Sequence, residues 1–199
     1  MLLRTLIALL ILLATSGVVA SPAVAQEQGL KGRIDRVGGE RLTWTIDGVE
    51  REALIFLPTA KASAEKSSAD KPELAPLVFG FHGHGGGMRQ AAVSFQLHKQ
   101  WPEAITVYMQ GLLTPGRFDP EGKKSGWQKT VGDQGDRDLK FFDAVLATMR
   151  EKHRADPRRI YCTGHSNGGA FTYLLWAARP DVFAAVAPCA AGGMLMHKG

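Results

Sequence analysis

Cysteine is scarce in this 199-residue chain, which contains only Cys162 and Cys189. Two thiols can form at most one disulfide, and no cluster of cysteine and histidine completes a metal shell. The formal net charge is +5, but the basic residues are scattered along the chain. Nucleic acids are bound by clustered Lys and Arg, so no nucleic-acid partner is indicated. The phosphate-loop patterns GxxxxGKS/T and GxGxxG are also absent.

The first 25 residues have the three parts of a secretory signal peptide. Arg4 supplies an early positive charge, Leu6–Leu13 forms an apolar run, and Ala23–Ala25 provides an A-x-A pattern. The apolar run is too short for a membrane-spanning helix. We therefore predict cleavage after Ala25 and export to the extracellular medium or the periplasm. The mature chain, residues 26–199, is expected to form one domain without stable membrane association, and an uncleaved N-terminal anchor is the alternative.

The segment 160–169 carries the most informative motif of the chain. A short β-branched and aromatic stretch leads into the pattern Gly-His-Ser-Asn-Gly at 164–168, and a helix-like stretch follows. Gly-x-Ser-x-Gly between a strand and a helix is the nucleophile elbow of α/β-hydrolases. The turn must be tight enough to project the Ser166 hydroxyl above the sheet, and Gly164 and Gly168 let strand and helix approach each other. Ser166 is therefore the predicted nucleophile.

A second glycine-rich loop, His82–Gly87, follows a buried strand expected at Leu77–Phe81. In α/β-hydrolases the loop after this strand donates a backbone N–H to the oxyanion hole, and an HGGG-type sequence is its signature. We predict that either His84 or Gly85 provides this donor. The amide of Asn167, the residue after the nucleophile, is predicted to provide the other donor.

The pair His82 and His84 has a competing interpretation, because His-x-His is a metal-ligand spacing. No Asp or Glu lies in the following dozen residues, and the run of glycines suits an oxyanion loop better. We therefore predict no metal and no cofactor. His82 is expected to position the loop rather than to take part in the chemistry.

Several separated segments resemble the polyhydroxybutyrate depolymerase-like esterase family, which includes feruloyl and acetyl-xylan esterases. They extend from about Leu74 to Gly193 and comprise the His82–Gly86 loop, the helix start Gly135–Asp138, the segment Asp156–Tyr161, the Ser-Asn-Gly-Gly elbow and the segment Asp181–Pro188. The resemblance implies an α/β-hydrolase fold, Ser166 as the nucleophile and a carboxylic ester as the substrate.

The residues after Ser166 do not complete a catalytic triad. In this fold the partners follow the serine in the order acid, then histidine. Asp181 is the only acid after Ser166 and is expected in a surface turn, and His197 is the only histidine. Since His197 has no acid to orient it, we expect a C-terminally incomplete hydrolase domain over residues 26–199.

The segment Gly111–Gln134 is long, rich in glycine and without a periodic pattern. It follows a strand expected at Ile105–Met109, so we expect it to line the substrate pocket. Trp127 is predicted to bind substrate by stacking on an aromatic or sugar ring, and packing within the loop is the alternative. Asp136 is expected to cap the next helix, and Asp138 to interact with its dipole.

Two expectations concern strand pairing. Glu40–Leu57 has the alternation of a β-hairpin, with Asp47-Gly48 as its two-residue turn. Cys162 and Cys189 fall on or just past strands that are expected to be neighbours. Buried free thiols are favoured there, with a disulfide as the alternative.

The combined prediction is a three-layer α/β-hydrolase sandwich that lacks its last strands. Its sheet is expected to be mostly parallel, with an N-terminal antiparallel hairpin and helices on both faces. The predicted function is hydrolysis of a small or polymeric carboxylic ester through an acyl-enzyme on Ser166. The alternative function is that of a non-catalytic module that keeps the pocket without the triad.

Overall fold

A computed structural model describes residues 21–59 and 74–192. Helices and strands alternate through most of the second stretch. In chain order the elements are α1 Pro22–Asp35, β1 Glu40–Ile46, β2 Val49–Phe56, β3 Ala75–Phe81, α2 Met88–Phe95, α3 Leu97–Gln100, β4 Ile105–Met109, β5 Leu112–Leu113, β6 Ser125–Gly126, α4 Arg137–Lys152, β7 Ala155–His165, α5 Asn167–Ala178 and β8 Ala185–Cys189.

The main sheet has six strands in the order β1-β2-β4-β3-β7-β8. The strands β4, β3, β7 and β8 are parallel, whereas β1 and β2 are antiparallel to their neighbours. The two hydrophobic clusters place α4 and α5 on one face and α2 on the other. This arrangement confirms the predicted α/β-hydrolase sandwich with its N-terminal hairpin.

The hairpin has the predicted turn. Asp47 and Gly48 have φ values of 50° and 80°, the left-handed backbone that a two-residue hairpin turn requires. Glycine adopts this conformation without strain, and aspartate tolerates it better than most residues. The turn therefore fixes the register in which Ile46 pairs with Val49.

Side chains of the central strands alternate between the two faces of the sheet. On β2, Ala53 and Ile55 join the cluster under α4 and α5, whereas Leu54 joins the cluster under α2. On β4, Val107 and Tyr108 divide in the same way. Because both faces are buried there, residues 53–56 of β2 are apolar and β4 has Thr106 as its one polar side chain apart from the Tyr108 hydroxyl, as expected in an α/β sandwich.

The predicted signal peptide lies mainly outside the described residues, and its proposed cleavage point after Ala25 falls in the first turn of α1. Across residues 21–59 and 74–192, every helix is too short or too polar to cross a bilayer. His197, the only histidine after Ser166, also lies outside the described residues. Asp181 lies in an exposed turn, as expected.

The two cysteines are free thiols on neighbouring strands. Cys162 is opposite Val186, whereas Cys189 is opposite His165, so the two thiols belong to different rungs of the ladder. Burial raises the pKa of the Cys162 thiol. Cys189 is exposed, so the expectation of two buried thiols is wrong for this residue.

A buried ion pair joins the hairpin to α4. The Arg51 guanidinium lies 2.7 Å from the Asp138 carboxylate, and both side chains are almost fully buried. Arg51 also lies over the ring of Phe141, 4.3 Å from its centroid. The other carboxylate oxygen of Asp138 accepts the backbone N–H of Gln128 at 2.8 Å. Asp138 lies in the first turn of α4, as the predicted interaction with the helix dipole requires, and it is also the buried partner of Arg51.

We expect Asp138→Asn to destabilise the fold by about 3 kcal/mol, because the variant leaves the Arg51 charge buried without a counter-ion. The free energy of unfolding, measured by urea denaturation, tests this. Lys140→Ala on the same helix is the control, since its ion pair with Asp47 is exposed and worth less than about 1 kcal/mol. Equal losses in both variants would contradict a special role of the buried pair.

Candidate active site

Ser166 lies at the junction of β7 and α5 with backbone angles φ 55° and ψ −118°. A positive φ is rare for a residue other than glycine, and such strain costs about 1–3 kcal/mol and concentrates at functional sites. The Ser166 amide donates to the carbonyl of Cys189 at 2.9 Å, which holds the turn against the end of β8. The structure thus has the strained strand-to-helix turn that the sequence pattern predicts.

The glycines around Ser166 are required by close approach of backbone to backbone. A Cβ at Gly164 would overlap the carbonyl oxygen of Gly168. A Cβ at Gly168 would overlap the carbonyl oxygen of Phe81, at the end of β3. The elbow can therefore form only if both positions lack a side chain.

The loop that follows β3 lies beside Ser166. A Cβ built at Gly83 would lie 3.6 Å from the Cβ of Ser166, in ordinary contact. Gly83 and Ser166 both line a cavity of about 310 Å³, together with His84, Gln90 and Phe95 among others. The two glycine-rich segments of the sequence therefore meet at one cavity.

His82 holds the base of this loop through both ring nitrogens. Nδ1 donates to the Gly83 carbonyl at 2.8 Å, and Nε2 accepts the Gly111 N–H at 3.0 Å. This pair of contacts requires the neutral ring. Burial lowers the pKa of His82, which favours the same neutral form. His82 therefore positions the loop, as expected from the sequence.

The two predicted oxyanion donors of this loop differ in their contacts. The Gly85 amide donates to the Ser125 carbonyl at 2.7 Å, so it is already occupied. The prediction that named Gly85 as an alternative donor is therefore wrong in this structure. Within the described part of the chain, the His84 amide makes no backbone hydrogen bond. Asn167 is the first residue of α5, and its amide has no acceptor within the helix.

The His84 side chain contacts a residue that sequence reasoning missed. Its Nε2 lies 3.1 Å from the Asp119 carboxylate. Hydrogen bonds from the amides of Lys123 and Lys124, together with His84, hold the pKa of Asp119 below its ordinary value. Asp119 lies in a turn-rich stretch, with Pro120 and Gly122 nearby, which was the only sequence signal of an ordered turn.

Trp127 does not line the cavity, which corrects its predicted role in binding substrate. The side chain is fully buried. Its ring stacks on Phe171 with centroids 4.9 Å apart, and it meets Phe81 edge-on at 5.4 Å. Its indole N–H donates to the His82 carbonyl at 2.9 Å. The structure therefore supports the alternative prediction, in which Trp127 has a packing role.

The segment Gly111–Gln134 is more ordered than its composition indicated. β5 and β6 pair within it as a short antiparallel ribbon, and Gly116 and Asp119 form a further bridge. Phe118 projects from this bridge and is 90% exposed. The segment thus has local backbone pairing although its sequence has no periodic pattern.

A sequence profile of the prolyl oligopeptidase family matches residues 121–196, a region that contains the elbow. The chain is 29% identical over 116 residues to a probable feruloyl esterase C of Aspergillus clavatus, covering 58% of this chain and 40% of that protein. It is 30% identical over 125 residues to poly(3-hydroxyalkanoate) depolymerase C of Paucimonas lemoignei, covering 61% of this chain and 29% of that protein. The chain is thus similar in sequence to a feruloyl esterase and to a polyhydroxyalkanoate depolymerase over about three fifths of its length.

A solved structure has a similar fold. The crystal structure of a thermostable esterase superposes with a TM-score of 0.55 and 21% identity, covering 81% of this chain and 42% of that one. The chain thus spans well under two thirds of the length of each of these three proteins.

The neutral form of His82 provides a test by pH. Its pKa is lowered in the folded state, so its stabilising contribution is complete above the ordinary pKa of about 6.5 and is lost as the pH falls below that value. We expect the parent to lose more stability than His82→Gln between pH 7.5 and pH 5, measured by urea denaturation. Equal losses of stability in the parent and the variant would show that protonation of His82 does not contribute to the pH dependence of folding.

Proposed function

We propose that this chain is the nucleophile-bearing part of a secreted serine hydrolase that cleaves carboxylic esters. The observation that carries the proposal is the strained backbone of Ser166 at a strand-to-helix junction. Its hydroxyl shares one cavity with the His82–Gly86 loop. The names of the sequence relatives, feruloyl esterase and poly(3-hydroxyalkanoate) depolymerase, support ester hydrolysis.

In the proposed reaction the Ser166 oxygen attacks the ester carbonyl carbon, and the C=O π electrons move onto the carbonyl oxygen. The amides of His84 and Asn167 donate hydrogen bonds to this oxyanion. Collapse of the tetrahedral intermediate breaks the bond to the alcohol, which leaves with a proton, and forms an ester on Ser166. Water then attacks the acyl-enzyme by the same route and releases the carboxylic acid.

A general base must accept the Ser166 proton, because a neutral hydroxyl is a weak nucleophile. In residues 21–59 and 74–192, no histidine or carboxylate makes a hydrogen bond to the Ser166 hydroxyl. The fold supplies this base from a histidine that follows the nucleophile in sequence. Activity is therefore best measured on the longest form of the protein that its gene encodes.

The alternative function is that of a non-catalytic binding module with the same fold. A fluorophosphonate separates the two, because it phosphonylates a serine only where the site activates the hydroxyl. We propose the enzyme, since the elbow is strained and the His84 amide makes no backbone hydrogen bond among the described residues. A pure binding protein requires neither.

We expect Ser166→Ala to abolish hydrolysis of p-nitrophenyl esters and to prevent fluorophosphonate labelling. Loss of a triad member costs several orders of magnitude in serine hydrolases. Ser94→Ala is the matched control, because Ser94 lines the same cavity but does not lie on the elbow. The measurements are kcat/KM and the intact mass of the labelled protein.

Near-parental turnover by Ser166→Ala would refute Ser166 as the nucleophile. A p-nitroanilide peptide belongs in the same assay, since the matching family profile is that of the prolyl oligopeptidases. Faster cleavage of the anilide than of the ester would overturn the proposed substrate class.

Export predicts a defined N-terminus. We expect the protein recovered from an exporting bacterial host to begin at Gln26, because the tripartite segment ends in an A-x-A pattern. Mass spectrometry of the N-terminal peptide measures this. An intact Met1 on membrane-bound protein would contradict cleavage and favour an anchor.

A further inference from the structure

Residues 125–127, here called the brace, touch both halves of the proposed oxyanion hole. The brace comprises β6 and the following tryptophan, and it lies within the Gly111–Gln134 segment. One half of the hole is the loop after β3, and the other half is the elbow. These halves are far apart in sequence, so their spacing requires a connecting element.

On the loop side, the brace makes three hydrogen bonds. The Ser125 carbonyl accepts the Gly85 amide at 2.7 Å, and the Ser125 hydroxyl donates to the Gly86 carbonyl. The Trp127 indole donates to the His82 carbonyl at 2.9 Å. These contacts bracket His84 on both sides, so they determine where its backbone lies.

On the elbow side, the Asn167 carboxamide pairs with the backbone of Trp127. Its Oδ1 accepts the Trp127 N–H at 2.8 Å, and its Nδ2 donates to the Trp127 carbonyl at 3.2 Å. Two bonds to one residue fix the orientation of the carboxamide. They also fix the first residue of α5, whose amide is the second proposed donor.

Gly126 lies between the two halves. A Cβ added there would lie 2.8 Å from His84 Nδ1 and 2.9 Å from Asn167 Oδ1. Both distances are too short for a real carbon, so the His84 ring and the Asn167 carboxamide, or the backbone at position 126, would have to move. A side chain at position 126 would therefore disturb the side chains of the two residues whose amides are the proposed donors.

The outer part of the same segment is fastened to His84 by Asp119. The carboxylate binds His84 Nε2 at 3.1 Å and accepts the amides of Lys123 and Lys124 at 3.0 and 2.8 Å. These bonds close the turn that leads directly into Ser125. The chain is thus fixed immediately before it enters the brace.

We propose that residues 125–127 set the spacing between the His84 and Asn167 amides, and that Gly126 and the Asn167 side chain are positioning residues for ester hydrolysis. The inference rests on the proposed function, because it concerns the geometry of that oxyanion hole. A displacement of about 1 Å at a catalytic group can cost about 10²-fold in rate.

The main test is Gly126→Ala. We expect kcat to fall about 10²-fold with KM nearly unchanged, because the oxyanion forms only after substrate binds. Inhibition by a trifluoromethyl ketone is expected to weaken in parallel, since its adduct with the Ser166 oxygen carries an oxyanion. Gly38→Ala is the matched control, because a Cβ at Gly38 meets no atom within 4 Å. Rates are normalised to the concentration of sites that react with a fluorophosphonate.

A second variant covers the case in which Gly126→Ala does not fold. Asn167→Ala keeps the backbone amide of Asn167 and removes only the pairing with Trp127. We expect a lower kcat and weaker trifluoromethyl ketone inhibition there as well, at unchanged KM. Unchanged kcat and unchanged inhibition in either folded variant would overturn the proposed positioning role of residues 125–127. If Ser166→Ala were inactive in the same experiment, the proposed esterase function would still stand. An active Ser166→Ala would overturn both.

Discussion

The left-handed backbone of Ser166 is the constraint on which the rest of the site depends. Strain of this kind persists only when the surrounding structure over-determines it. The Ser166 amide is held by the carbonyl of Cys189, and the backbones of Gly164 and Gly168 are in direct contact. The order of strands follows from the same need, because the elbow strand β7 must lie beside both β3 and β8.

The second constraint is that irregular backbone near the elbow has to find hydrogen-bond partners. Buried polar groups are costly unless they are paired. Both ring nitrogens of His82 make hydrogen bonds to backbone groups near the start of its loop. The Asp119 carboxylate makes hydrogen bonds to two backbone amides and to the His84 ring. The Gly111–Gln134 segment is therefore a structural part of the site, and its glycines permit close approach rather than flexibility.

Local patterns predicted the parts of the molecule that local physics decides. Asp47-Gly48 specified its hairpin turn, and the elbow glycines specified a strand-to-helix junction. The burial of Trp127 could not be predicted from the sequence, because its partners Phe81 and Phe171 are more than forty positions away in each direction. The choice between His84 and Gly85 depended on a contact between Gly85 and Ser125, which no local pattern reveals.

The central claim is that the His84 and Asn167 amides form one oxyanion hole beside Ser166. A crystal structure of the fluorophosphonate adduct in the longest encoded form of the protein tests it most directly. The account predicts a phosphonyl oxygen within about 2.7–3.1 Å of both amide nitrogens, with phosphorus bonded to the Ser166 oxygen. A phosphonyl oxygen that points into solvent, or an adduct on another residue, would contradict it.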